Sequence, residues 1–400
     1  MERRLGGSNA DTMRRSNRQA VLQVIRLRAP VSRAEIARHT GLTAAAVTNI
    51  VNSLLAAGLV VETGRRTQGR GQPPVELDLA ADGALSVGLH LDRDLLSGVA
   101  VDLKGQSVKT IRRELDPPGP EEAVALLSEL FEDLVTAAGV DRSRLLGAGV
   151  VTVGPLDLET GTVRGPPNFA GWHEVPLRER LEKALGLPVI LENNATAAAI
   201  GEHWYGVGRG LANFLYIYIG LGVGGGLFFE NRVYRGSGLN AGEFGYMLVR
   251  SGGEAVPVES LTSILALRRD LGESYRDPKL IGDAFGTGDP GLLAWLKRAG
   301  QVLAEAVAGL DNVLDLDAVI VGGRHQPEVI EYLTAVIREG AEPLLMPHRP
   351  RSATVLAGRT GEDTAALGAA TLPLYYQFAD WRQSPEGQVG REDEPAVPPA

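Results

Sequence analysis

Four small or polar side chains, Ala45, Thr48, Asn49 and Asn52, recur at i, i+3, i+4 and i+7 of TAAAVTNIVNSLLAAG. Val47, Ile50, Val51, Leu54 and Leu55 fall on the other side. The spacing predicts a helix with one apolar face and one uncharged polar face. Asn and Thr hydrogen-bond base edges, and small residues let a helix sit deep in the major groove of DNA. Thr43 and Ala44 fall at the helix N-terminus, where backbone amides favour a phosphate. Ser32, which caps the preceding helix, is taken with this set. The segment GRRTQGRGQPP then supplies Arg65, Arg66, Arg70 and Gln72. An arginine flanked by glycine and proline suits a narrow minor groove, where the negative potential is strongest. A three-helix bundle used for protein contacts is the competing reading of the same pattern.

A second group lies far along the chain. LYIYIGLGVGGGLFF places Gly220, Gly222 and Gly225 at G-x-G-x-x-G spacing. A dinucleotide fingerprint needs a helix after the glycines. Here LFFENRVYRG follows, which reads as a return strand with a turn at Glu230-Asn231. A glycine-rich hairpin tip that lets backbone amides approach a phosphate is the better reading.

The elements that must hold these groups fall into two parts. Residues 14–80 read as a winged helix-turn-helix. Its first helix spans about 16–28, and its second opens with the capping box of SRAE at Ser32 and Glu35. Its third runs from Thr43 to about Ala57 and stops at Gly58. The strands 59–63 and 75–79 complete it. Residues 84–378 alternate strands and helices, the pattern of an α/β domain with mixed sheets. Residues 1–13 and 381–400 are expected to be disordered. Residues 1–75 hold twelve arginines and four acidic residues, a net of +8, while the whole chain is at −9, leaving −17 on the rest. A basic head on an acidic body is the footprint of a nucleic-acid-binding module joined to something else; a solvated basic tail is the bland alternative. There is no apolar run of 18 residues and no secretory signal, so no membrane partner is expected. The absence of cysteine rules out disulfides and thiolate metal sites and fits a cytoplasmic protein.

From Arg14 to about Tyr376 the chain resembles the ROK family (repressors, open reading frames, kinases). The resemblance is carried by SRAEIARHTGL, GVVTVGPLDLETGTVRGPPNFAGW, PVILENNATAAAIGE, IGLGVGGGL, GEFGY and VIVGG. It implies a two-lobed actin-like (ribonuclease H-like) α/β domain, with sugar between the lobes and, in the kinases, ATP beside the glycine hairpin. It places Asn168, Asn193, Glu243 and Glu259 on sugar-contacting positions.

Three departures bear on activity. The family kinases read ENDA where this chain has Glu192-Asn193-Asn194, and that aspartate is their general base. Asn194 is able to hydrogen-bond a sugar but takes no proton at neutral pH. Losing a general base costs on the order of 10²–10⁴ in rate. The first hairpin lacks the D-x-G-x-T phosphate clamp: Asp92 is followed by Arg93, Asp94 and Leu95, and an acid at Asp94 would repel phosphates. Tyr246 stands where a zinc-binding histidine would be, and no cysteine cluster exists. The expectation is therefore a DNA-binding regulator of carbohydrate genes, a repressor, with no catalytic residue and neither zinc nor ATP. Its partners would be an operator in double-stranded DNA and a sugar or sugar derivative. The sugar would be held by Asn168, Asn193, Asn194, Glu243 and Glu259, with Tyr246 stacking or offering its hydroxyl. A homodimer or homotetramer is expected, because two heads reading a palindrome need a two-fold axis. The alternatives are an active ROK sugar kinase with a DNA-binding appendage, in which Asp92 or Glu192 replaces the base, and a ligand-independent scaffold partnered by a transporter protein.

Overall fold

The computed structural model describes residues 10–65, 74–139, 141–166, 169–348 and 351–378. The disorder expected for residues 1–9 and 381–400 lies outside them. Ala10 to Met13, expected to be disordered, belong instead to the first helix, Ala10–Arg28.

The head is built by local signals. Ser32 caps the helix Arg33–Thr40 in a complete capping box with Glu35, and Gly41, in left-handed conformation at φ 71°, ends it. Thr43 caps the helix Ala44–Ala56 through the amide of Ala46. Three strands form one antiparallel sheet, with Val75–Leu79 between Val31–Ser32 and Val60–Arg65. Val21, Ile25, Ile36, Val47, Val51, Leu54 and Leu77 are fully buried and make the head's core. This is the winged helix the sequence predicts, with three helices and a wing.

The body has two lobes of the same plan. In the first, the sheet order is Val189–Asn193, Leu145–Thr152, Leu85–Leu91, Leu95–Asp102 and Ser107–Glu114. The first three strands are parallel and the last two antiparallel. In the second, the order is Arg232–Val233, Val223–Phe229, Phe214–Ile219, Ala318–Gly323 and Thr354–Ala357. Again a three-stranded meander adjoins parallel strands. Helices Pro120–Ala137 and Leu177–Leu185 bury their apolar faces in the first lobe, and Pro290–Leu314 and Pro327–Ala341 theirs in the second.

Two further helices, Asn194–Tyr205 and Thr364–Phe378, pack on one another and on strands of both lobes. Ala195, Ala197, Ala198, Ala199, Ala365, Ala366, Ala369 and Ala370 are all buried there. Small residues let backbones touch: a Cβ on Gly368 would collide with the carbonyl of Ala197, and one on Gly149 with that of Ala369. The head is not a loose appendage. Its first helix packs on Thr364–Phe378, and its core is continuous with the apolar cluster around that helix. Gln19 donates from Nε2 to the carbonyl of Tyr376 at 3.4 Å. The guanidinium of Arg26 lies 4.1 Å over the ring of Trp204.

Candidate functional site

On the head, Thr43, Ala44, Ala45, Thr48, Asn49 and Asn52 are all exposed, while Val47, Val51 and Leu54 of the same helix are buried. They form the continuous small polar face that the spacing predicts. The Thr48 hydroxyl donates to the carbonyl of Ala44 at 2.8 Å, which leaves its methyl and one acceptor outward. Asn52 lies at the edge of the face, accepting a long bond (3.5 Å) from Arg33, which also pairs with Glu62. Sequence reasoning missed Arg33, whose one signal was its place at the start of the second helix. Ser32 does not belong to the face. It is buried and its hydroxyl is engaged with Glu35, so its role is to cap the helix. Arg65 ends the strand Val60–Arg65. Arg66, Arg70 and Gln72 lie outside the described residues.

In the body, a cavity of about 350 Å³ opens between the lobes. Asn193, Asn194, Glu243, Tyr246 and Glu259 all line it, although the chain separates them by up to 66 residues. Asn168 lies outside the described residues; Pro166, just before it, lines the cavity. Asn193 ends a strand and caps the helix Asn194–Tyr205. Its Oδ1 accepts from the amides of Ala195 (2.9 Å) and Thr196 (3.4 Å), so only its Nδ2 is left for a ligand. Asn194 likewise accepts from Ala195 at 2.9 Å. Glu243 follows Gly242, held at φ 102° where a Cβ would collide with the carbonyl of Gly225. The glycine hairpin is thus the seat on which the GEFGY turn rests. Burial, then the neighbouring charge of Glu259, raises the pKa of Glu243 above the ordinary carboxylate value. Glu259 accepts from the amide of Val223 at 3.4 Å. Tyr246 is half exposed at the rim; burial of its hydroxyl and then Glu259 raise its pKa, so it stays protonated at neutral pH.

The hairpin tip joins antiparallel strands Phe214–Ile219 and Val223–Phe229, as its glycines imply. Its amides are less open to a phosphate than the sequence suggests. Gly220 donates to the carbonyl of Gly222 at 2.9 Å, and Val223 donates to Glu259.

Asp92, Glu192 and Asp94 are all held by arginines. Arg324, from the end of Ala318–Gly323 in the second lobe, crosses to the first. Its Nη1 lies 2.6 Å from Asp94 Oδ1 and 3.5 Å from Asp92 Oδ2, and its Nη2 lies 3.3 Å from Asp94 Oδ2. The repulsion of phosphates expected from Asp94 is therefore corrected: its charge is neutralised by Arg324. Burial pushes the Asp92 carboxyl up, but Arg324, His90 and Arg93 together hold it below the ordinary value. Glu192 is buried and its Oε2 lies 2.6 Å from Arg235 Nη1; Arg235 in turn donates to the Tyr376 hydroxyl at 2.9 Å. Beside the first cavity lies a second of about 700 Å³, and Arg93 borders both.

Residues 87–375 match the ROK family. The chain belongs to that family. Residues 20–71 match the MarR family, which covers the head. The chain is 27% identical over 376 residues to the xylose repressor of Bacillus spizizenii, covering 90% of this chain and 96% of that protein. It is 30% identical over 310 residues to the glucokinase of Thermotoga maritima, covering 72% of this chain and 96% of that one. Among solved structures, a ROK family transcriptional regulator described as a homolog of the E. coli MLC protein superposes with a TM-score of 0.74 at 22% identity, covering 94% of this chain and 100% of that one. The ROK domain therefore carries a MarR-type winged helix, and the similarity to the repressor spans both, whereas that to the glucokinase spans 72% of the chain.

Proposed function

We propose that this ROK family chain is a sugar-responsive transcriptional repressor whose body binds a sugar without phosphorylating it. The observation that carries the reading is the helix Asn194–Tyr205. Its first residue lines the cavity, and at its far end Trp204 lies beneath Arg26 of the head's first helix. A second contact runs parallel to it: Glu192, next to Asn193, pairs with Arg235, which bonds Tyr376, whose carbonyl accepts from Gln19 of the head. A sugar drawn to the cavity through Asn193, Asn194, Glu243 and Glu259 shifts the heads only if it binds the two states of the body unequally. Thr43, Ala44, Ala45, Thr48, Asn49 and Asn52 read the operator, with Arg65, Arg66, Arg70 and Gln72 in the wing segment. A homodimer or homotetramer supplies the second head for a palindromic operator. Among the described residues no helix is long and apolar enough to cross a membrane, and the protein acts in the cytoplasm.

Phosphoryl transfer is disfavoured by the same site. Asn194 is no base. Asp92 and Glu192, the two acids placed to replace one, are both in ion pairs. Asp92, held below its usual pKa, is the poorer proton acceptor for it. The residues fit a nucleotide poorly, since the first hairpin lacks the glycine and threonine of the phosphate clamp and two amides of the glycine hairpin, those of Gly220 and Val223, are engaged within the protein. Nor do they fit the family's zinc, since Tyr246 and a chain without cysteine leave no comparable donor set. The kinase reading is favoured by the glucokinase similarity and by the raised pKa of Glu243, a second carboxyl with a strengthened hold on a proton. Two measurements separate the readings. Operator mobility shifts across a sugar panel are expected to show at least one sugar that changes DNA affinity; none doing so refutes sensing. A coupled ADP-release assay is expected to show no turnover with any hexose, and turnover would establish the kinase.

A further inference from the structure

We propose that the sugar taken by the inter-lobe cavity is anionic, carrying a carboxylate or a phosphate, and that Arg93 receives that anion. The inference rests on the sugar-binding reading above and narrows it to a chemical class.

Arg93 sits in the turn between Leu85–Leu91 and Leu95–Asp102, where the two cavities meet. Its side chain is only 15% exposed, and its buried Nε has no hydrogen-bond partner among the described residues. The carboxylates beside it are already engaged. Asp92 Oδ1 accepts the backbone amide of Arg93 at 2.7 Å and stands 3.5 Å from Nε, while its Oδ2 lies toward Arg324. Asp94 takes two bonds from Arg324. Arg324 thus takes the larger share of the acids that flank Arg93, whose guanidinium keeps one long ion pair to Asp92 and no side-chain hydrogen bond among the described residues.

A guanidinium withdrawn from water with one distant carboxylate and no hydrogen bond is incompletely satisfied, and a bound anion supplies the missing acceptors. Its planar fork matches a carboxylate or phosphate bidentately, which a sugar hydroxyl does not. Gly222 keeps the approach open. The position of a Cβ there would lie 3.0 Å from Glu259 Oε2 and 3.7 Å from Arg93 Nη2, so a side chain at 222 would fill the space between them. Arg269 adds a second positive charge at the mouth, partly offset by Asp270. Glu243 and Glu259, on the second lobe, would repel an anion placed beside them. The ligand is therefore oriented, hydroxyls toward Glu243 and Glu259 and anion toward Arg93. The fixed orientation is itself a source of specificity.

The test is binding of matched sugar sets to the full chain by calorimetry and thermal shift. Each set holds a neutral aldose, its uronate and its 6-phosphate. One anionic member is expected to bind about tenfold or more tightly than its neutral parent, as a charge-assisted pair implies. The uronate and phosphate arms show which anion is meant. Arg93→Gln is expected to abolish the preference, and Arg93→Lys, which keeps charge but not the fork, to keep part of it. The proposal is overturned if neutral sugars bind as tightly as their anionic counterparts, or if Arg93→Gln weakens both equally, which would make Arg93 a structural residue. If no sugar of any charge binds, the sugar-binding reading falls with it.

Discussion

The head wears its chemistry on the outside of one helix, and the body keeps its own between two lobes. On the head, six residues within ten positions are exposed, and apart from Thr43, whose hydroxyl caps the helix, the fold makes little use of their side chains: Thr48 bonds only its own helix, and Asn49 is exposed. In the cavity nearly every polar group is already employed. Asn193 caps a helix, Glu259 holds the amide of Val223, and Asp92 pairs with Arg324 from the other lobe. Ligand binding there uses leftover valences. The difference predicts that substitutions in the cavity cost stability as well as affinity, while those on the head's face, the cap Thr43 excepted, cost affinity alone.

Acid should separate the two regions most strongly. His90, His203 and His325 all belong to the body; His90 and His325 are buried and His203 is half-buried, and burial lowers each pKa to about 4. Arg324 adds to the depression at His90 and His325, and Arg26 at His203, while Asp92 opposes it at His90. The unfolded chain takes up these protons near pH 6.5 and the folded body does not. Between about 6.5 and 4 the unfolded state binds more protons, so stability falls as pH falls. Each histidine that stays neutral in the fold forfeits ~1.4 kcal/mol for every pH unit below its unfolded pKa, so the combined loss by pH 5 is several kcal/mol. Urea midpoints measured from pH 7 to 5 should drop steadily; a flat profile would show that these histidines are not buried neutral.

Next in size is the pair behind the cavity. Glu192→Ala leaves Arg235 buried with its main counter-charge gone, which costs about 3–5 kcal/mol. The urea midpoint of the variant reads it out, and a loss below about 1 kcal/mol would mean that water reaches the pair. Asn49→Ala on the head is the contrasting substitution. It should weaken operator binding by about 1–3 kcal/mol and leave the urea midpoint and the sugar affinity as they were. A variant that melts early would place Asn49 in the fold rather than on the DNA.

The same contrast explains what could be read in the sequence. The head was legible because its signals are local: a capping box at Ser32 and Glu35, a cap at Thr43, an i, i+3, i+4, i+7 face. Even there Ser32 is easily misassigned, because a cap residue and a contact residue look alike until burial is known. The cavity residues were legible only through the resemblance, since no spacing rule joins Asn193 to Glu259. The helix Thr364–Phe378 went unforeseen. It is buried on nearly all sides, so it has no polar face and no helical periodicity to detect. Arg324, Arg235 and Arg93 were invisible as a group, because an arginine's partner is set by tertiary packing and not by its neighbours in sequence.

The smallest expected effect bears on how the two regions are joined. Arg26 stacks on Trp204 at 4.1 Å, and burial lowers its pKa to about 10, still well above neutral, so the contact is a desolvated cation on an indole. Arg26 is on neither the DNA face nor the cavity. Arg26→Ala should therefore leave intrinsic operator affinity and sugar affinity close to those of the parent. What should change is the ratio of operator affinities with and without sugar. Coupling free energies between sites are about 1–3 kcal/mol, and this contact is one of two routes, so the change should be roughly 1 kcal/mol. Mobility shifts at saturating sugar, set against shifts without it, measure that ratio directly. A ratio that survives in Arg26→Ala but collapses in Tyr376→Phe, where Arg235 loses its hydroxyl partner, would move the coupling to the Glu192–Arg235–Tyr376 side of the joint. A ratio unmoved by both would mean that the head and body communicate through the dimer and not through the chain.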